Sequence, residues 1–239
     1  MVLYTGTRPA PARAGLILHH APMLRVTSLA LAQTQAQELL GGQGRVEIVL
    51  SSGHALTALT EAGVLRVLAP TLHRIWCVGE RTAQRARSLL DGFEIETPRP
   101  AHQNFEGMMD ALRMRHDLAQ HVVVLGLEGK SRHPGQSLEG LDVKVTELPV
   151  YATRPVLFLD WSELPVRVDW VVCTSPRGAR AFFDLFAHAP GAARKKLRDA
   201  RYASIGPTTS AALEALGTQV ALEASLPDIR VLLDELSVA

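Results

Sequence analysis

The run Val171-Val172-Cys173-Thr174-Ser175-Pro176-Arg177-Gly178-Ala179-Arg180-Ala181-Phe182-Phe183-Asp184-Leu185-Phe186, followed by Tyr202-Ala203-Ser204-Ile205-Gly206-Pro207-Thr208-Thr209-Ser210-Ala211-Ala212-Leu213, reads as two strand-to-helix switches in succession. Val171–Cys173 is an apolar run that stops at Thr174-Ser175-Pro176. An amphipathic helix follows, with Ala179, Phe182, Phe183 and Phe186 on its apolar face. Tyr202–Ile205 is a second strand, broken by Gly206-Pro207. Thr208 or Thr209 is expected to cap the next helix, with Pro207 in its first turn.

An earlier stretch reads as a copy. Glu47–Leu50 stops at Ser51-Ser52-Gly53 and opens a helix His54–Ala62, and Trp76–Val78 stops at Gly79-Glu80-Arg81-Thr82 and opens a helix to Leu90. Ser52 and Ser175 are 123 residues apart, Gly79 and Gly206 127, Thr82 and Thr209 127, and Leu112 and Leu236 124. Four landmarks at nearly one offset predict two similar lobes. Each would present helix N-termini at its strand ends, where unpaired N–H groups and cap hydroxyls favour anions. Two such lobes facing each other suit a ligand bearing several carboxylates or phosphates.

Between these landmarks strands and helices alternate. One lobe runs through strand Val46–Leu50, strand Arg74–Val78, strand Phe93–Thr97, helix Phe105–Arg115, strand Val122–Gly126, a short helix ending at Leu141 and strand Val143–Glu147. Ala30–Leu40 reads as a helix and Gly41-Gly42-Gln43-Gly44 as a break. The other lobe takes the N-terminal strands Val2–Tyr4 and Gly15–His20, then resumes at Val156–Leu159 and Trp170–Cys173 and closes with strand Gln219–Leu222 and helix Pro227–Leu236. The expected class is α/β, two similar lobes each with a parallel sheet flanked by helices, joined by a two-stranded connector. The boundaries fall at 1–27 plus 152–239 for the discontinuous lobe and 28–151 for the other, with Pro22–Leu29 and Pro149–Thr153 as crossings.

The chain has 239 residues, 47% hydrophobic and 21% charged, which suits a globular enzyme with aliphatic cores. Its formal charge of +1 and its short basic clusters, Arg194-Lys195-Lys196 being the longest, argue against a nucleic-acid partner or a membrane surface. No apolar run is long enough to span a bilayer and no signal-peptide layout opens the chain. Cys77 and Cys173 read as mid-strand, equivalent, buried and reduced, which with the missing leader points to the cytoplasm. The nine histidines, among them His19, His20, His54, His102 and His133, show no metal-ligand spacing and no orienting carboxylate. Ser52 and Ser175 lack the Gly-x-Ser-x-Gly setting of a hydrolase, and no G-x-G-x-x-G follows a strand.

Thr7-Arg8-Pro9, Leu50-Ser51-Ser52, Val78-Gly79-Glu80-Arg81-Thr82-Ala83, Pro149-Val150-Tyr151-Ala152-Thr153, Thr174-Ser175-Pro176 and Ile205-Gly206-Pro207-Thr208-Thr209 occur in this order over most of the chain. In that set the chain resembles the uroporphyrinogen-III synthase family of tetrapyrrole biosynthesis. The resemblance implies a lyase without metal or organic cofactor. It would close hydroxymethylbilane, a linear tetrapyrrole rich in carboxylates, with loss of water and inversion of the last ring through a spiro intermediate. It implies substrate binding by Arg8, Ser52, Gly79, Thr82, Ser175, Gly206, Thr208 and Thr209. Where members often carry an Arg-Gly pair this chain has Gly126-Leu127-Glu128-Gly129-Lys130, so Lys130, or Arg132, becomes the candidate cation. A monomer is expected, with transient contact with hydroxymethylbilane synthase.

Two roles are open to Tyr151: a connector ring packed at the lobe boundary, or a phenol that donates a proton to the departing hydroxyl. The hydroxyls of Ser52, Thr82, Ser175, Thr208 and Thr209 can cap helices alone, or cap them and also meet a ligand carboxylate. Arg8 can clamp a carboxylate or lie solvated. The alternative to a synthase is a non-catalytic two-lobed module that binds a polycarboxylate or tetrapyrrole.

Overall fold

The computed structural model describes residues 1–29, 44–61, 71–130 and 133–239; the helix expected at Ala30–Leu40, most of the glycine break after it, Ala62 and Arg132 lie outside them. The strands are β1 (Val2–Tyr4), β2 (Leu18–His20), β3 (Leu24–Ser28), β4 (Val46–Leu50), β5 (Leu72–Cys77), β6 (Glu94–Glu96), β7 (His121–Leu127), β8 (Lys144–Pro155), β9 (Trp170–Cys173), β10 (Arg201–Ser204) and β11 (Val220–Glu223). The described helices in the first half are α1 (Gly53–Glu61), α2 (Glu80–Leu89), α3 (Phe105–Arg113) and α4 (Pro134–Ser137). Those in the second half are α5 (Pro176–Ala187), α6 (Gly191–Lys196), α7 (Pro207–Ala215) and α8 (Ile229–Leu236).

The chain divides into two compact units, Met1–Arg25 with Arg154–Ala239, and Val26–Thr153; both divisions fall inside strands, β3 and β8. The first unit holds a five-stranded sheet in the order β11-β10-β9-β1-β2, parallel throughout. Alternate residues of its central strands enter opposite cores. Leu3, Val171 and Cys173 pack with Ala179, Phe182 and Leu213, while Val2, Tyr4, Trp170 and Val172 pack with Leu232, Leu233 and Leu236. With helices on both faces, every residue of β9 is buried, which is why Val171–Cys173 reads as an unbroken apolar run. Phe182 is fully buried, a contribution of about 1.5–3 kcal/mol over an exposed ring.

The second unit holds a six-stranded sheet in the order β3-β8-β7-β4-β5-β6, parallel from β8 to β6. Ile48, Leu50, Ile75, Cys77, Val123 and Leu125 face Leu56, Leu59, Ala83 and Ala86. Val49, Trp76, Val122 and Val124 face Met108, Met109 and Leu112. Strands matched by the sequence offset hold the same places in each sheet: β9-β10-β11 stand where β4-β5-β6 stand, with β1-β2 in the places of β7-β8.

The chain path reverses between β1 and β9 in one sheet and between β7 and β4 in the other, the position where open α/β sheets bind ligands. Each junction is stitched by a hydroxyl just past a strand. Thr5 Oγ1 donates to Val172 O over 2.8 Å, and Ser51 Oγ donates to Leu125 O over 2.8 Å.

Several details depart from the sequence reading. The strand after Val143 and the crossing Pro149–Thr153 are one strand, β8. Pro149 has no N–H to offer the ladder; it is exposed, and the register shifts beside it so that Tyr151 pairs with Leu127. The helix expected to reach Leu141 is only α4, and Val156–Leu159 has no regular structure. Cys77 and Cys173 are buried and unpaired, but both end their strands, and β5 and β9 hold different places in the two sheets. Burial pushes both thiols up to about 12.

Candidate functional site

In the second unit, β4 ends at Leu50 and Ser51-Ser52 carry the chain into α1. Ser52 caps that helix: its Oγ accepts from Ala55 N over 3.3 Å. The same Oγ donates to Tyr151 Oη over 3.0 Å. Tyr151 comes from β8, two strands away across β7, and its ring sits in the α1-side core, 8% exposed. Its carbonyl accepts from Glu128 N over 2.9 Å, which fixes the backbone just past the register shift. The His54 ring packs against it, with centroids 5.6 Å apart. Tyr151 is therefore a packed ring and a hydrogen-bonded phenol at once.

One strand over, β5 ends at Cys77 and Gly79 is the N-cap of α2, with no side-chain cap of its own. Thr82 lies inside the first turn, so the expected Thr82 cap is corrected. The capping oxygen comes instead from Gln103, whose Oε1 accepts from Glu80 N over 3.1 Å. A Cβ added at Gly79 would meet only that oxygen, at 3.6 Å, so the backbone there is open to approach. Lys130 is exposed and follows a turn closed by Lys130 N to Leu127 O over 3.3 Å, with Gly129 at φ +70°.

In the first unit, Arg8 is exposed beyond the end of β1, and Ser175 caps α5 by accepting from Gly178 N over 3.0 Å. Gly206 is the N-cap of α7 at φ 157° and ψ 177°, a conformation that is essentially glycine's alone, with Pro207 at the first helical position. Thr208 and Thr209 follow inside the helix and cap nothing; Thr208 is exposed and Thr209 is buried at 1%. The expected threonine cap at α7 is thus also corrected. Beneath this turn Ser204 Oγ bonds Ser210 Oγ at 2.6 Å, and Ser210 Oγ donates on to Glu223.

The sequence-derived residues thus gather at strand C-terminal ends. Ser52, Gly79 and Lys130 follow β4, β5 and β7, with Tyr151 joined to Ser52; Arg8, Ser175 and Gly206 follow the adjacent strands β1, β9 and β10. Such edges present helix N–H groups to anions. The sequence reading missed Gln103, whose capping contact spans 23 residues and becomes visible only once the sheet is assembled. Among the described residues no group of three or more His, Cys, Asp or Glu could hold a metal ion, and no helix is long and apolar enough to cross a membrane.

The family model described as uroporphyrinogen-III synthase HemD matches residues 8–234. The chain belongs to the uroporphyrinogen-III synthase family. Among solved structures, the uroporphyrinogen-III synthetase of Helicobacter pylori is similar at TM-score 0.66 and 16% identity, covering 100% of this chain and 99% of that one. A mutant uroporphyrinogen III synthase from the extremely thermophilic bacterium Thermus thermophilus is similar at TM-score 0.55 and 17% identity, covering 99% of this chain and 97% of that one. At these identities the likeness shows the fold, a mixed α/β arrangement of parallel sheets flanked by helices. No curated protein sequence matches the chain. Family membership makes it a protein of tetrapyrrole and heme biosynthesis.

Proposed function

We propose that this member of the uroporphyrinogen-III synthase family converts hydroxymethylbilane to uroporphyrinogen III as a cyclising hydro-lyase that uses no cofactor. The observation that carries the chemistry is the Ser52–Tyr151 hydrogen bond at the C-terminal edge of a parallel sheet. Loss of the substrate hydroxyl breaks a C–O bond, and the electron pair leaves with oxygen. A proton from the Tyr151 phenol turns the departing group into water, while the neighbouring pyrrole nitrogen feeds its lone pair to the carbon left behind. The last ring then attacks through its substituted carbon to form a spiro intermediate, and reconnects inverted. The proton released as the final pyrrole regains aromaticity restores the phenol, so the net change is loss of one water.

The substrate's carboxylates account for the remaining residues. Helix N-termini behind Ser52, Gly79, Ser175 and Gly206 offer N–H donors, Thr82 and Thr208 add hydroxyls in the first turns of α2 and α7, and Arg8 and Lys130 supply cations. Thr209, expected among the substrate-binding residues, is only 1% exposed in the first turn of α7 and takes no part in this binding. In this reading the protein acts as a cytoplasmic monomer that receives its unstable substrate from hydroxymethylbilane synthase. The test is the isomer made from hydroxymethylbilane: enrichment of type III over a protein-free control supports the reading, and type I alone from folded protein refutes it.

A further inference from the structure

We propose that Ser52 is a positioning residue that turns Tyr151 into a one-way hydrogen-bond donor, fed from the N-terminus of α1. This rests on the reading of Tyr151 as the proton donor and adds what makes it one. A backbone N–H can only donate, so the Ala55 N–H at 3.3 Å assigns Ser52 Oγ as acceptor on that side. The single Ser52 proton points to Tyr151 Oη at 3.0 Å. The phenol oxygen is thereby an acceptor toward Ser52, and its own proton is left to donate outward.

The chain of donors starts at the positive end of a nine-residue helix, and each link polarises the next. The surroundings hold this direction. Glu128 N fixes the Tyr151 carbonyl at 2.9 Å, Ser51 ties the end of β4 to Leu125 O, and the His54 ring packs against the phenol ring. When the phenol proton joins the leaving hydroxyl and water departs, the negative charge on Tyr151 Oη falls where Ser52 already donates. Such a preformed donor stabilises the charged state without reorganising.

Four variants in the full-length protein test this: S52A, S52T, Y151F and S52A/Y151F, each assayed for kcat, KM and type III product. Y151F is expected to lower kcat by about 100-fold, within the usual range for a general acid, with KM changed by less than about twofold. S52A should lower kcat about tenfold with KM unchanged, S52T should restore most of it, and S52A should cost nothing further when Tyr151 is already Phe. If the S52A and Y151F losses multiply, if S52A moves only KM, or if S52T is as slow as S52A, the relay is overturned and Ser52 is a direct ligand or a cap alone. Should S52A fold poorly, S52G carries the same test, because glycine is well tolerated at an N-cap. A Y151F protein with unchanged kcat would instead remove Tyr151 as donor; a slow Y151F beside a fast S52A removes only the relay.

Discussion

Arg74 of β5 and Glu47 of β4 meet at 3.4 Å with side chains only 2% and 0% exposed, an ion pair taken almost wholly out of water. Glu47 is further satisfied by Trp76 Nε1 and by Ala119 N at 3.0 Å. Arg74 also reaches Asp117 at 2.9 Å and lies 3.1 and 3.2 Å from Glu94 and Glu96. The cluster ties β4, β5, β6 and the approach to β7 together. Removing the cation strands a buried carboxylate. R74M is therefore expected to destabilise the protein by about 3–5 kcal/mol in urea unfolding. A loss below about 1 kcal/mol would mean that Glu47 has another route to neutrality.

Acid should dissolve the outer part of that cluster. Hydrogen bonds from Arg74 and then Arg115 pull Asp117 down to about 2. A carboxyl with a depressed folded-state pKa binds fewer protons folded than unfolded between that value and its ordinary one. Its stabilisation is complete above about pH 4 and is lost as the pH falls toward 2. Thermal unfolding of D117N should consequently lie below wild type at neutral pH and change less steeply over this acid window. Parallel curves for the two proteins would show that Asp117 contributes nothing to acid sensitivity.

Helix capping separates residues that look alike in the sequence. Ser175 holds Gly178 N at 3.0 Å, whereas Thr82 and Thr208 sit inside the first turns of helices whose N-caps are Gly79 and Gly206. S175A should cost about 1 kcal/mol in denaturant unfolding, and T82A and T208A no more than a few tenths. Equal losses for all three would restore the threonines as caps. In catalysis the same T82A and T208A variants should raise KM with little change in kcat, because a carboxylate held far from the reacting carbon is bound equally in ground and transition states.

Burial also sets the behaviour of the thiols. With both pushed up to about 12, neither Cys77 nor Cys173 carries appreciable thiolate near neutral pH. A thiol reagent such as Ellman's should find neither in the native protein over minutes and both after denaturation. Rapid native labelling of either would contradict its packing in the core.

What could be read beforehand follows from the range of each interaction. Apolar runs such as Val46–Leu50 and Trp170–Cys173 declare themselves as strands because both sheet faces are covered, and the repeated offset between Ser52 and Ser175 marks strands that do hold the same place in each sheet. The threonine caps failed because glycine takes the N-cap at α2 and α7, moving the hydroxyls inside the first turn. Gln103 on Glu80 N, Glu47 beside Arg74, and Ser52 on Tyr151 depend on register and strand order, which no local pattern encodes. Tyr151 stands out through its motif, but its hydrogen bond to Ser52, 99 residues away, exists only once the sheet is assembled.

The most direct measurement supplies fresh hydroxymethylbilane to the purified protein, oxidises the products and separates the porphyrin isomers by chromatography. Unassisted closure gives the type I isomer. A synthase acting through Tyr151 gives type III well above the protein-free control, and gives it more slowly as Y151F. Type I alone, from protein shown to be folded in the same sample, would contradict that activity and leave a tetrapyrrole-binding module without turnover.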